Sequence, residues 1–214
     1  MLSVHGRKPI RPVVEPLAKG LNAIGISPNA VTVIGTIAAI GIAVTLIPTG
    51  HLFAAALLTG LFTFFDLLDG TMARLRGGGT KFGGVLDASC DRITDGALFG
   101  AVLWWLAYTY DASASLLVAA LVTLVASQVI SYIKARAEAN GFEVIGGLIE
   151  RPERLILVLV GLGLQGLGVP FAIDIALWLL AAGSVFTVVQ RLWMVARQPG
   201  ATDHIAPPAG AELS

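Results

Sequence analysis

Residues 52–74 read L-F-A-A-A-L-L-T-G-L-F-T-F-F-D-L-L-D-G-T-M-A-R, and the fold turns on how this run is read. Its uncharged part ends at Phe65, and a helix needs about 20 residues to cross ~30 Å of hydrocarbon. The run spans a bilayer only if the helix continues through Asp66, Asp69 and Arg74. Backbone chemistry favours continuation, because an irregular segment facing lipid would leave its amide groups unpaired. Asp66 and Asp69 then lie within the depth of the bilayer.

The rest of the chain supports lipid as the solvent. Of 214 residues, 56% are hydrophobic and 13% charged, where a soluble domain averages roughly 25% charged. Mean hydropathy is +0.81. The net charge is zero, so no global basic field points to nucleic acid. The single cysteine, Cys90, cannot form an intrachain disulfide. Residues 1–20 lack the apolar core of a signal peptide, so the spans are expected to act as their own insertion signals.

Six spans are expected: Ala30 to Pro48, a second from Leu52, Phe82 to about Tyr108, Ala114 to about Lys134, Leu155 to Leu167, and Phe171 to about Val195. The fifth is short and is expected to continue helically back through Arg151. With six spans, Lys19, Arg74, Arg76, Lys81, Lys134, Arg136, Arg151, Arg154, Arg191 and Arg197 fall on one side together with Arg7, Lys8 and Arg11. The opposite connections carry no Lys or Arg. The positive-inside rule makes the basic side cytoplasmic, with both termini there. Residues 9–24 alternate apolar and charged positions as an interfacial amphipathic helix would. The expected organisation is all-α: a cytoplasmic N-terminal segment (1–29), a six-helix membrane domain (30–197) and a polar, Pro-rich tail (198–214) expected to be disordered.

Asp66 and Asp69, at i and i+3, share one helical face, and Asp87 and Asp91, at i and i+4, share a face of the next helix. A short R-L-R-G-G-G-T-K connection suggests that the two helices run side by side, bringing four carboxylates into one pocket. Four clustered anions at membrane depth need counter-charge. Divalent cations are the simplest remedy, and all-oxygen ligation favours Mg²⁺ or Mn²⁺. Pairing with Arg74, Arg76 or Arg92 is the plainer alternative. Asp95 continues the series, and a supporting role, such as pairing with a basic group, suits it better than ligation. Gly70, Ala73 and Gly83 would permit either close helix packing or close approach of a ligand. Arg74 stands where it could meet a phosphate. Lys134, Arg136, Arg151, Arg154 and Arg191 gather at the basic side, as topology alone would partly require and as a phosphorylated substrate would also need.

The pattern D66-x2-D69-G70-x2-A73-R74-x8-G83-x3-D87-x3-D91 resembles the signature of the CDP-alcohol phosphotransferase family at every fixed position. The resemblance implies a membrane enzyme in which a CDP-linked lipid loses CMP. It implies two metal ions held by Asp66, Asp69, Asp87 and Asp91, with Asp91 also the general base. It places Gly70, Arg74 and Thr80, with the run Asn29, Ala30, Val31 and Thr32, against the CDP group. Residues 1–21 and the run G-L-I-E-R-P-E-R-L are similar to members that join CDP-diacylglycerol to 1D-myo-inositol 3-phosphate. In those terms Ser131, Lys134, Arg154 and Arg191 would hold the acceptor's phosphate, and the protein would be a homodimer in the plasma membrane. Glycerol 3-phosphate is the competing acceptor. An aspartate-rich prenyltransferase and a cation transporter using the carboxylates as a relay are more distant alternatives.

Overall fold

The computed structural model describes residues 11–62 and 65–204, leaving aside the side chains of residues 11, 65 and 66. Every element among them is helical: α1 (Arg11–Ala23), α2 (Pro28–Leu46), α3 (Leu52–Phe62), α4 (Phe65–Leu75), α5 (Lys81–Tyr108), α6 (Ala114–Ala139), α7 (Arg151–Gly166) and α8 (Ala172–Ala196). The helix starts are written in the sequence. Ser27, Thr80 and Ser113 each cap a helix by accepting the N–H three residues on, from Ala30, Gly83 and Leu116. Such caps satisfy amides that have no partner within the helix. The turn between α4 and α5 runs through Gly77 (φ 90°) and Gly78 (φ 131°), backbone conformations that side chains resist.

As expected, helix resumes on both sides of residues 63–64, and α7 begins at Arg151. Among the described residues, four segments are long and apolar enough to cross a membrane: Pro28–Leu46, Leu52–Leu75, Ala114–Ala139 and Ala172–Ala196. Two expected spans, α5 and α7, fall outside that set. The first half of α5 carries Lys81, Asp87, Asp91, Arg92 and Asp95. The 16 residues of α7 reach only roughly 24 Å at 1.5 Å per residue.

The bundle is built around α5 to α8, with Leu98, Phe99, Val102, Leu106, Val158, Leu162, Leu177 and Leu180 in one buried cluster. Large apolar side chains such as Ile37, Leu57, Leu61, Val118, Trp178 and Phe186 stay exposed on its outside, an exterior suited to lipid. Small residues set the closest approaches. A Cβ on Gly161 would stand 2.7 Å from that of Ala176, and one on Gly166 would collide with the backbone of Phe53. These contacts press α7 against α8 and α3.

Helix α1 is docked on the bundle. Val14 and Ala18 are buried with Val31, Leu68 and Met72, while Val13 and Leu17 stay exposed. Arg76 fastens it, with Nε donating to Asn22 Oδ1 at 2.7 Å and Nη2 to the Ile26 carbonyl at 2.7 Å. Of the tail expected to be disordered, residues 198–202 lie in turns and a bend. Gln198 accepts from the Glu143 N–H at 2.9 Å and donates to its carbonyl at 2.6 Å. Residues 205–214 lie outside the described residues, as do residues 1–10 with Arg7 and Lys8.

Candidate active site

The first half of the site forms where α2 meets α4 and α5. Helix α2 packs against both, whereas α4 and α5 make no extensive contact with each other among the described residues. The first turns of α2 reach both helices, Thr32 meeting Asp69 on α4 and Asn29 standing near Gly83 on α5. Thr32, on that turn, donates to the buried carboxylate of Asp69 and shares its hydroxyl with the Pro28 carbonyl at 3.1 Å. Val31 is buried, and Asn29 and Ala30 are half-buried beside it.

Gly83 shows why a side chain is missing there. A Cβ at that position would stand 3.0 Å from Asn29 Oδ1 and 3.1 Å from Thr80 Oγ1. Asn29 and Thr80, distant in sequence, thus meet over a glycine on α5. On α4, Arg74 folds back so that a Cβ on Gly70 would lie 3.5 Å from its Nη1. Its Nη2 donates to Thr71 Oγ1 at 2.8 Å. Arg74 and Thr80 are exposed.

The four-carboxylate pocket expected from spacing includes Asp66, whose side chain lies outside the described residues. Among the described residues, no three His, Cys, Asp or Glu side chains stand close enough together to hold a metal. Asp69 accepts from Thr32, and Asp91 pairs with Arg151. Asp87 is exposed, and the side chain of Asp66 lies outside the described residues. The donor chemistry itself fits a hard divalent cation, because Asp69, Asp87 and Asp91 offer only carboxylate oxygens.

The second half is a charged network between α5, α6, α7 and α8. Asp91 and Asp95 lie one turn apart on α5, and Arg151 and Arg154 one turn apart on α7. Arg151 bridges the two carboxylates, with Nη1 2.8 Å from Asp91 Oδ1 and Nε 3.5 Å from Asp95 Oδ1. Arg154 Nη2 pairs with Asp95 Oδ2, and both side chains are wholly buried. Arg92 adds a third guanidinium, 3.5 Å from Asp95 and 3.8 Å from Asp91. It also donates to Ser131 Oγ on α6. Three guanidiniums against two carboxylates leave one positive charge in excess, in surroundings that screen it weakly.

Of the residues expected to hold an acceptor phosphate, the structure brings Ser131 and Arg154 into this network through Arg92 and Asp95. Arg191 lies at its edge and is buried and committed. It donates to the Ile130 carbonyl at 2.8 Å and the Gly146 carbonyl at 3.2 Å, and pairs with Glu150 at 3.1 Å. Lys134 stands apart, exposed and 3.8 Å from Glu138. Glu150 was not among the expected residues, while Arg92 was expected only as a possible carboxylate partner and Arg151 only within the basic gathering. Their signal was present as complementary stripes: Arg151 and Arg154 at i and i+3 answer Asp91 and Asp95 at i and i+4.

The family model for CDP-alcohol phosphatidyltransferases matches residues 25–189, which include the residues of both halves of the site apart from Arg191. The chain is 62% identical over 212 residues to the phosphatidylinositol phosphate synthase of Corynebacterium glutamicum, covering 99% of this chain and 97% of that protein. It is similar to the crystal structure of the Mycobacterium tuberculosis phosphatidylinositol phosphate synthase with CDP-DAG bound. That match has a TM-score of 0.88 at 52% identity and covers 92% of this chain and 100% of the other. The same mycobacterial enzyme in complex with manganese and citrate matches with a TM-score of 0.86 at 52% identity, over 91% of this chain and 94% of the other.

Proposed function

We propose that this chain, which belongs to the CDP-alcohol phosphatidyltransferase family and is an integral membrane transferase, moves the phosphatidyl group of CDP-diacylglycerol onto 1D-myo-inositol 3-phosphate and releases CMP. The observation that carries the reading is the adjacency of two unlike half-sites along α5. Asn29 and Thr80 meet over Gly83 near the start of α5, and an arginine network built on Asp91 and Asp95 follows about two to three turns along it. A nucleotide diphosphate suits the first and a phosphorylated alcohol the second.

In this reading Asn29, Ala30, Val31, Thr32, Gly70, Arg74 and Thr80 bind the CDP moiety. Asp66, Asp69, Asp87 and Asp91 would hold two divalent ions, Mg²⁺ or Mn²⁺, and the manganese in the mycobacterial relative supports this. When bound, such ions neutralise the diphosphate and the charge that develops on the leaving CMP oxygen. Asp91 accepts the proton of the attacking inositol hydroxyl. A bond forms between that oxygen and the phosphatidyl phosphorus as the bond to the CMP oxygen breaks. Arg151 orients Asp91, and Ser131, Lys134, Arg154 and Arg191 serve the acceptor's phosphate.

The reading includes six membrane crossings, with α5 and α7 completing the four apolar segments, and α1 lying at the interface. Both termini and the active site face the cytoplasm of a plasma membrane, and the protein is a homodimer. The test is CMP release by purified protein with CDP-diacylglycerol, Mg²⁺ and one acceptor at a time. Release is expected with inositol 3-phosphate and not with inositol or glycerol 3-phosphate. Release with glycerol 3-phosphate and none with inositol phosphate would overturn the acceptor assignment.

A further inference from the structure

We propose that Asp95 is the positioning residue of the acceptor half of the site. From a wholly buried position it holds Arg151 so that Arg151 orients Asp91, and holds Arg154 so that its remaining N–H groups meet the acceptor's phosphate.

A buried ion pair that serves packing alone is satisfied on both sides, because each unpaired polar atom costs free energy. The Asp95–Arg154 pair is not. One guanidinium nitrogen, Nη2, bonds to Asp95, while Nε and Nη1 are buried without a hydrogen-bond partner among the described residues. A phosphate supplies several acceptor oxygens at once and is the kind of group that would satisfy them.

Sharing is the second observation. Asp95 faces three arginines, and two of these, Arg92 and Arg151, also reach Asp91 one turn away. The carboxylate proposed to take the hydroxyl proton and the arginine proposed to grip the phosphate are thereby tied to one buried anchor. Helices α5 and α7 are not closely packed on each other, so these long side chains span the space between them. Asp95 touches no substrate in this scheme and acts through its arginines.

The inference rests on the reading that the acceptor is a phosphorylated alcohol. Its test is a set of steady-state measurements in detergent. Asp95→Asn keeps the shape and removes the charge. It is expected to raise the acceptor KM by about 10- to 100-fold, the scale of one lost charge-assisted hydrogen bond, with the donor KM changed by less than about twofold. In an Arg154→Gln background the same substitution is expected to add little, since coupled residues are not additive. Equal rises in both KM values, or full additivity, would overturn the proposal.

Should Asp95→Asn fail to fold, Asp95→Leu/Arg154→Leu replaces the whole pair by apolar groups, an exchange buried ion pairs often tolerate. That variant is expected to fold and to bind CDP-diacylglycerol, while its acceptor KM rises at least about tenfold; an unchanged acceptor KM would overturn the proposal. If the wild type uses glycerol 3-phosphate instead, the function proposed above falls, and the same KM split is read with that acceptor. A wild type that prefers unphosphorylated inositol would overturn the present inference. If no acceptor supports turnover, radiolabelled inositol 3-phosphate binding decides: loss in Asp95→Asn supports the role, and equal binding removes it.

Discussion

Asp91 is where the two half-sites meet at the scale of single residues. Arg151 holds one of its oxygens, and the proposed reaction asks the carboxylate to accept a proton. Asp91→Asn is expected to lower turnover by about 10²- to 10⁴-fold, the usual contribution of a general base, with CDP-diacylglycerol binding little changed. Turnover within tenfold of wild type would remove Asp91 from that role. Gly83→Ala tests the other half. Its new Cβ would crowd Asn29 and Thr80, and the donor KM should rise by about tenfold, the scale of mild overpacking. A rise in the acceptor KM instead would remove Asn29 and Thr80 from the donor side. The aspartate spacing was legible beforehand because helical periodicity is local. The partners of those aspartates were not, since Thr32 reaches Asp69 and Arg151 reaches Asp91 only across helix contacts.

Among the elements, α5 depends on its first turn and α7 on its glycines. Thr80→Ala removes the cap that accepts the Gly83 N–H at 2.9 Å and should cost about 1 kcal/mol of stability. The effect is readable as a lower thermal midpoint in detergent. Gly166→Ala puts a methyl group into the backbone of Phe53, and a loss of roughly 1–3 kcal/mol is expected as α3 and α7 separate. A midpoint equal to wild type would mean that α7 approaches α3 less closely than described. Helix identity and caps were readable from Ser27, Thr80, Ser113 and the apolar runs. The packing of α2 against both α4 and α5 was not, because the apolar face of a span does not say which helices it meets and only tertiary contacts decide.

For the whole molecule the testable claims are orientation and metal. In a Cys90→Ser background, a cysteine at Gly79 should react with an impermeant maleimide only in inside-out vesicles, and one at Ala114 only in right-side-out vesicles. Both sites are exposed, so the reverse pattern would invert the proposed topology. Chelation should abolish CMP release, and Mg²⁺ or Mn²⁺ should restore it; activity that survives exhaustive chelation would remove the metal from the reading. What the sequence determined by itself was the class of the protein. Composition, span length and the side on which Lys and Arg fall are sums over residues and need no geometry. The exact spacing from Asp66 to Asp91 added the family, since a motif on two helices records which faces carry chemistry. Tertiary structure alone decided how those faces are met: α2 packed against both aspartate helices, Asp69 bonded to Thr32, and Asp95 buried against three arginines. Such contacts join residues distant along the chain, and their free energy depends on distance and burial, which only the packed bundle defines.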